Sequence, residues 1–263
     1  MITSASNSQV KQIIQLNKKS RERKKQGVFL VEGLKMFVEA PKDRLVKTYV
    51  AESFLDNENH REILQGISYE VVKDSVFAQM SDTLTPQGIL TVVKQQEYTL
   101  EQWKNLSDRP LFLLLENLQD PGNMGTIFRT AEGAGVTGII MTKKCVDIYN
   151  PKTIRSTMGS IYRMPFVCVE DAEEAMRWFA SQGIISYAAH LQGEKYYDEE
   201  DYCGGCAFLI GNEGNGLSDH LSQMASKWIK IPMEGQLESL NAGVAAGILM
   251  YEAFRQRRSL IKF

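Results

Sequence analysis

The segment LENLQDPGNMGTIFRTAEGAG (residues 115–135) decides the fold, because it places a strand end, a glycine-rich turn and a helix start in succession. Two later segments repeat this order: FLIGNEGNGLS (208–218) and IPMEGQLESLNAGVAAGILMYEA (231–253). In open α/β proteins such turns lie at the carboxyl edge of the sheet and hold nucleotide-like ligands, since glycine permits close backbone approach and helix N-termini offer free N–H groups. The sequence therefore predicts a pocket built from three turns.

The turns also carry polar side chains that a turn does not need. A tight turn uses glycine and asparagine for their backbone freedom, but it has no use for a guanidinium such as Arg129 or a carboxylate such as Glu213. We interpret these polar residues as parts of a functional site. The candidates are Asn123, Arg129, Glu213, Ser239 and Asn241.

The rest of the chain divides into two predicted domains and a connector. Residues 1–95 alternate short strand-like and helix-like stretches and predict a small α/β domain, whereas residues 96–109 are polar and read as a linker. From residue 110 to 263, short apolar stretches alternate with helical segments, which is typical of buried parallel strands. We therefore expect a mostly parallel sheet there. A first helix is predicted over residues 7–26, with Gly27 as its C-terminal stop.

At this point the three motifs resemble a known family, the SpoU-type branch of the SPOUT superfamily of S-adenosylmethionine-dependent RNA ribose 2'-O-methyltransferases. The resemblance covers about 150 residues from Arg109 onward, and the preceding region resembles the ribosomal-protein-like substrate-binding domain often fused to this family. Two positions depart from the family pattern: Glu116 stands where aspartate is frequent, and Ala242 where valine is frequent. Neither change removes a polar group that the family uses.

The resemblance implies a trefoil knot in the second domain, a homodimer with the site near the subunit interface, and S-adenosylmethionine as cofactor. It also implies which residues hold the cofactor through backbone groups or keep the turns open. These are Gly211, Gly214, Ile231, Gly235 and Leu240.

The resemblance gives Arg129 a catalytic role, often as the acceptor of the hydroxyl proton. A free guanidinium has a pKa above about 12 and no lone pair to offer, so we interpret Arg129 as a clamp that stabilises developing alkoxide charge. The acceptor stays open between Arg129, Glu213 and water. Asn123 and Asn241 suit bracing of the loops, Arg129 or the ribose, and Glu213 suits orientation of Arg129 or the nucleotide. Ser239 either caps the last helix or contacts RNA.

A basic run, KKSRERKK (residues 18–25), stands out in a chain whose formal net charge is −2. Taken alone, it is equally well explained as a solvated helix end whose cations favour the helix dipole. Beside motifs that resemble those of an RNA enzyme, contact with RNA phosphates becomes the better interpretation. The residues assigned to this contact are Lys18, Lys19, Arg21, Arg23, Lys24 and Lys25.

Other features exclude some functions. No apolar run reaches the roughly 18 residues of a membrane span, and the N-terminus lacks the apolar core of a secretory signal, so a cytoplasmic location is expected. Cys203 and Cys206 form a single CxxC without histidines at ligand-like spacing, and no metal site is expected. The apolar face of the last helix is explained by core packing, by a dimer interface, or by both.

Three functional interpretations follow. The favoured one is 2'-O-methylation of a ribose in structured RNA, with ribosomal RNA preferred over transfer RNA on the resemblance. A catalytically silent RNA-binding or ribosome-assembly factor would keep the pocket without the reaction. A base N-methyltransferase of a related SPOUT branch is the third, and the NxGxxxRxA pattern of residues 123–131 favours ribose over base.

Overall fold

The computed structural model describes residues 1–104, 107–237 and 239–258, and it divides the chain into two compact units. The first unit comprises Met1–Gln96 together with Asp147–Tyr162, and the second comprises Glu97–Val146 and the described residues from Arg163 onward. The segment from Asp147 to Tyr162 thus packs with the N-terminal residues, although it follows the first motif in sequence.

The first unit is built on a four-stranded mixed sheet with helices α1 to α5. The strands β1 (Val28–Glu32), β2 (Leu45–Ala51), β3 (Tyr69–Val72) and β4 (Ile89–Lys94) take the order β1-β4-β2-β3. Of the neighbouring pairs in this sheet, β2–β3 is parallel, and β4 is antiparallel to both β1 and β2. The helices of residues 1–96 are α1 (Ser8–Lys18), α2 (Ser20–Gln26), α3 (Leu34–Glu39), α4 (Glu58–Ile63) and α5 (Asp74–Met80). Residues of α1, α5 and all four strands form one apolar core.

The single helix predicted over residues 7–26 is two helices. Asn7 caps α1 by accepting a hydrogen bond from the backbone N–H of Gln9 (2.8 Å), and Gly27 ends α2 in the left-handed region at φ 62°, as predicted. Between them Lys19 is extended (φ −121°, ψ 110°), and the chain changes direction there. A uniform basic composition cannot reveal such a break, because lysine is a good helix former.

One basic residue of the run is a structural group and not a surface cation. The Arg23 side chain is 3% exposed; its Nε and Nη2 donate to Asp147 Oδ2 (3.1 and 2.5 Å), and its Nη1 donates to the carbonyls of Leu16 and Asn17 (2.6 and 3.0 Å). All the guanidinium faces are thereby occupied, so the assignment of Arg23 to RNA phosphates is corrected. The other five cations of the run, Lys18, Lys19, Arg21, Lys24 and Lys25, are exposed.

The described part of the second unit contains a seven-stranded sheet in the order β7-β6-β5-β10-β8-β11-β9, and every neighbouring pair in it is parallel. Its strands are β5 (Leu111–Leu115), β6 (Gly138–Thr142), β7 (Phe166–Val169), β8 (Ile185–Ala189), β9 (Lys195–Tyr196), β10 (Cys206–Ile210) and β11 (Lys227–Lys230). The later helices along the chain are α6 (Pro121–Gly133), α7 (Pro151–Thr157, in the first unit), α8 (Ala172–Ser181), α9 (Asp219–Met224) and α10 (Ala242–Arg258). The predicted mostly parallel α/β fold is confirmed, whereas the knot stays a prediction.

The predicted linker contributes to the core of the second unit. A short 3-10 helix (Leu100–Trp103) places Trp103, 4% exposed, against Phe112 of β5, with ring centroids 5.6 Å apart. A polar composition had indicated only a connector, because one buried tryptophan weighs little in an average over 14 residues. Asn105 and Leu106, also assigned to the linker, lie outside the described residues.

Candidate active site

The pairing of β5 with β10 brings the first two motifs together. Leu115 lies opposite Ile210 in this parallel pair, and the N–H of Glu116 donates to the carbonyl of Ile210 (2.9 Å). The first turn therefore leaves the sheet directly beside the second, although about 95 residues separate them. Asp120 then starts α6 by accepting from the N–H of Asn123 (2.8 Å), with Pro121 at the first helical position.

Glu213 of the second turn holds the first turn in place. Its Oε2 accepts from the N–H of Gln119 (3.0 Å), and its Oε1 accepts from the N–H of Asp120 (2.9 Å) and from Asn123 Nδ2 (3.0 Å). Burial acts to raise the pKa of Glu213, but these hydrogen bonds to the ionised form outweigh it, so the pKa lies below its ordinary value. The carboxylate is thus a fixed acceptor.

Asn241 ties the third motif to the same point. Its Oδ1 accepts from the N–H groups of Gly243 and Val244 (2.9 and 3.2 Å), which caps α10, and its Nδ2 donates to Asn123 Oδ1 (2.9 Å). Asn123 consequently donates to Glu213 and accepts from Asn241. We call Glu213, Asn123 and Asn241 the three-turn link, because each comes from a different motif.

Close packing of α10 on α6 supports this link. A Cβ added at Gly243 would lie 3.5 Å from Thr126 Cγ2 and 3.6 Å from Asn123 Oδ1, and one added at Gly247 would lie 3.7 Å from Thr130 Cγ2. Glycines four residues apart let the two helices approach closely, so that side chains at their first turns can hydrogen-bond directly.

Two predicted site residues stand outside the three-turn link. Arg129 is exposed and six residues beyond Asn123 on α6, about 120° around the helix, and it has no hydrogen bond or ion pair with any residue of the described ranges. Glu213 therefore orients Asn123 and the first turn instead of Arg129. Ser239 is exposed and makes no hydrogen bond within the described chain. The cap that was considered for Ser239 is supplied by Asn241 itself.

The predicted cofactor residues lie on the second and third turns. At Gly211 an added Cβ would lie 2.1 Å from the carbonyl carbon of Gly216, because the loop folds back through paired hydrogen bonds between Asn212 and Gly216 (2.9 Å each), so only glycine fits. Gly214 donates its N–H to Asn212 Oδ1 (2.9 Å).

On the third turn, an added Cβ at Gly235 would meet nothing within 4 Å. Ile231 follows β11, and the backbone N–H and C=O of Leu240 have no partner in the described chain. Open space and unpaired backbone groups fit a ligand held by its adenine and ribose.

The carboxylate of Glu116 is a structural element that sequence reasoning passed over. Glu116 is 9% exposed, and its two oxygens accept hydrogen bonds from the N–H and the hydroxyl of Ser218 (both 2.7 Å). Ser218 is the N-cap of α9. The only sequence signal was the presence of an acidic residue at a strand end. Its partner could not be read, since Ser218 is about 100 residues away.

The CxxC pair is unlike a reactive dithiol. Burial raises the pKa of the Cys206 thiol to about 11 although Arg257 lowers it, and burial also raises the pKa of Cys203. Across the described ranges, no cluster of three or more His, Cys, Asp or Glu side chains is placed to bind a metal. In the same part of the chain, no helix combines the length and apolar character needed to cross a membrane.

A parallel α/β sheet with three strand-to-helix turns joined by one hydrogen-bonded link defines a ligand-binding enzyme domain. Residues 110–251 match the SpoU rRNA Methylase family, and residues 7–91 match the MRM3-like substrate binding domain. The first match covers more than half of the chain, which therefore belongs to the SpoU rRNA methylase family. The predictions of a methyltransferase and of this family are confirmed.

Individual proteins are similar over nearly the whole length. An uncharacterized tRNA/rRNA methyltransferase of Synechocystis is 33% identical over 97% of this chain and 94% of its own. The 23S rRNA (guanosine(2553)-2'-O)-methyltransferase RlmP of Bacillus subtilis is 32% identical over 95% of this chain and 97% of its own. The AdoMet-bound rRNA methyltransferase of Sinorhizobium meliloti superimposes with a TM-score of 0.85 at 30% identity, covering 99% and 98% of the two chains.

We expect Glu213→Gln to lower the melting temperature at neutral pH, because an amide cannot accept all three hydrogen bonds. A carboxylate with a lowered folded-state pKa stabilises the fold above its ordinary pKa of about 4.3 and loses that contribution as pH falls through the folded-state pKa. The difference between the wild type and the variant should therefore be constant from pH 7 to about pH 5.5 and shrink toward pH 3. Thermal denaturation at each pH measures it.

Glu194→Gln is the matched control, because Glu194 is exposed and has no hydrogen bond or ion pair in the described chain. Its melting temperature should follow the wild type at every pH. A Glu213→Gln difference that stays constant down to pH 3 would contradict the preferential hydrogen bonding of the ionised carboxylate.

Proposed function

We propose that this protein transfers the methyl group of S-adenosylmethionine to the 2'-hydroxyl of a ribose in ribosomal RNA. The observation that carries the proposal is the three-turn link, which fixes the start of α6, the second turn and the start of α10 at one place. The proposal is also supported by the similarity to the 2'-O-methyltransferase of Bacillus subtilis and to the AdoMet-bound enzyme of Sinorhizobium meliloti.

The second and third turns hold the cofactor in this proposal. In the second turn Gly211 offers its backbone groups and Gly214 keeps the turn open. In the third turn Ile231 and Leu240 offer backbone groups and Gly235 leaves space. When bound, S-adenosylmethionine supplies an electrophilic methyl group on a positively charged sulfur. The protein then has to hold the ribose hydroxyl in line with that methyl and to manage one proton.

In this proposal the three-turn link positions the turns of the site, whereas Arg129 acts on the substrate. Glu213 is a poor base, because its pKa is lowered and its oxygens already accept three hydrogen bonds. Arg129 is exposed on α6 with all its donors available, so it stabilises the charge that develops on the ribose oxygen. The hydroxyl proton passes to water, since a guanidinium has no lone pair to accept it. Ser239 contacts RNA in this scheme, as its hydroxyl is free.

Substrate binding is assigned to the N-terminal domain of residues 1–95, joined through residues 96–109 to the methyltransferase domain of residues 110–263. Phosphate contacts of Lys18, Lys19, Arg21, Lys24 and Lys25 hold the RNA there without reading its sequence.

The proposal extends to a cytoplasmic enzyme with a knotted second domain. It also includes a homodimer, in which a second subunit covers the apolar side chains of Val244 and Tyr251 on α10, which are 51% and 49% exposed. Sedimentation at micromolar concentration tests the oligomeric state.

Ribose-methylation mapping tests the function directly. RNA from cells without the gene should lack one 2'-O-methyl mark in ribosomal RNA, and the wild-type gene should restore it. Arg129→Ala should fail to restore the mark while its affinity for S-adenosylmethionine changes by less than about tenfold, a difference of about 1.4 kcal/mol. Arg177→Ala, which alters an exposed arginine paired with Glu173 on α8, should restore it fully.

Other results of the mapping would select another function. A methyl group found on a base would indicate a base methyltransferase, and cofactor binding without any methylated RNA would indicate a silent assembly factor. Restoration of the mark by Arg129→Ala would remove Arg129 from the catalytic scheme.

Asn241→Asp separates the two tasks of Asn241. Aspartate still caps α10 through an oxygen, but it cannot donate to Asn123 Oδ1 and faces it with a second acceptor. We expect the methylation rate to fall by about 10²-fold or more, with a melting temperature close to that of the wild type. Asn7→Asp is the control, because Asn7 caps α1 in the same way and should show neither effect. Full activity in Asn241→Asp would reduce Asn241 to a helix cap.

The basic run gives a prediction with an internal control. Replacing Lys18, Lys19 and Arg21 by Gln should weaken binding to ribosomal RNA and flatten its salt dependence by about one unit of slope per lost phosphate contact. Arg23→Met should leave the salt dependence of RNA binding unchanged. It should lower the free energy of unfolding by about 3 kcal/mol, because Asp147 loses its buried partner. An unchanged salt dependence in the triple variant would favour the interpretation of the basic run as a solvated helix end.

A further inference from the structure

A second concave region lies beside the three-turn link and is not used by the scheme above. It is a cleft of about 370 Å³ at the carboxyl ends of β5, β6 and β10, within the roughly 300–1,000 Å³ of ligand sites. The cofactor residues Ile231, Gly235 and Leu240 follow β11, which is two strands beyond β10 on the other side of the sheet order. Gly211 and Gly214 belong to the loop after β10, whose Asn212 and Asn215 line the cleft, so the cleft adjoins the cofactor residues at this loop. We call this region the β5–β6 cleft. Its polar side chains are Glu116, Asn117, Gln119, Lys144, Asn212, Asn215 and Ser218.

The wall of the β5–β6 cleft is held in an uncommon backbone conformation. Asn117 has φ 56°, a left-handed value that few residues other than glycine and asparagine adopt. Three hydrogen bonds fix it: its N–H donates to Thr142 Oγ1 (3.0 Å), and its carbonyl accepts from Asn212 Nδ2 (2.9 Å) and Gln119 Nε2 (3.1 Å). The cleft is therefore a preorganised part of the fold.

The charge of the cleft favours a neutral ligand that carries N–H groups. Glu116 is 9% exposed, its two oxygens accept hydrogen bonds from Ser218, and no cation pairs with it within the described part of the chain, so the wall holds a carboxylate. A phosphate placed beside it would be repelled, since the two charges would interact across a partly dehydrated cleft. Lys144 is exposed and lines the same cleft, which adds one cation that can donate to a carbonyl or ring nitrogen.

The unused hydrogen-bonding groups of the cleft are of both kinds. Asn117 Nδ2 and the Lys144 ammonium are donors, Gln119 Oε1 is an acceptor, and the Asn215 amide offers both; none of these groups has a partner in the described ranges. Mixed donors and acceptors around the cleft match the edge of a nucleobase, which proteins read in RNA when the base is unpaired.

The cleft is also connected to the three-turn link. Gln119 lines the cleft with its side chain while its N–H donates to Glu213 Oε2 (3.0 Å), and Asn212 of the cleft directly precedes Glu213. We propose that the β5–β6 cleft binds the unpaired base of the nucleotide whose ribose is methylated, and that Asn215 and Lys144 determine which base is accepted. This inference rests on the proposed function.

The test uses RNA fragments that carry the mapped methylation site with A, C, G or U at the methylated position. The wild-type enzyme should discriminate between the preferred and the other bases by at least about tenfold in kcat/KM. The Asn215→Ala and Lys144→Ala variants should bring this ratio down toward one, through loss of activity on the preferred base. Affinity for S-adenosylmethionine and melting temperature should not change. Lys143→Ala is the control, because Lys143 pairs with Glu170 and does not line the cleft.

Three results would overturn the inference while leaving the proposed function intact. An equal loss of activity on all four RNAs would indicate a phosphate contact. A loss of cofactor affinity of tenfold or more would make the cleft part of the cofactor site. Undiminished discrimination in both variants would exclude a role in base selection. A wild-type protein that methylates no RNA would overturn the proposed function and the base site together.

Discussion

The parallel pairing of β5 with β10 is the constraint on which the second unit depends. It joins chain segments about 95 residues apart, and it sets Glu116 beside Ile210 at the sheet edge. Both the three-turn link and the β5–β6 cleft start from that edge, because the turns that leave it carry Glu213, Asn123 and Asn117. Both strands are buried on both faces, so a shift of one residue in the register would exchange which side chains face each helical layer and would move these groups apart.

Most of this sheet was legible from the sequence, because buried parallel strands are short apolar runs. The strands β5 (LFLLL) and β7 (FVCV) are runs of this kind. The two-residue strand β9 was missed, since two residues carry no periodicity. The packing of residues 147–162 with the N-terminal unit was also missed: Asp147 is an ordinary surface-type residue until Arg23, 124 positions away, is known to be its partner.

The candidate site was predicted as a set of residues but not as an arrangement. Sequence motifs named Asn123, Glu213 and Asn241, because polar groups in glycine-rich turns need an explanation beyond folding. They could not show that Asn241 both caps α10 and donates to Asn123, or that Glu213 holds the backbone of the first turn. Charge alone also misplaced Arg23, since a guanidinium with four hydrogen bonds inside the fold and one in solvent look identical in sequence.

Hydrogen-bond capacity separates the positioning groups from the groups that meet a substrate. The link consists of hydrogen bonds from Asn123 to Glu213 and from Asn241 to Asn123. These hydrogen bonds stabilise the positions of the turns. The side chains of Arg129 and Asn215 have no hydrogen-bond partner among the described residues, although the Asn215 N–H donates to Asn212 Oδ1 (3.2 Å). Arg129 lies within α6, whose first turn the link fixes, and Asn215 lies on the second turn. Being unpaired is not sufficient, because an exposed polar side chain such as Glu194 is simply hydrated; a position beside the fixed turns is what distinguishes Arg129 and Asn215. In the proposed scheme these two side chains meet the RNA, Arg129 at the ribose oxygen and Asn215 at the base.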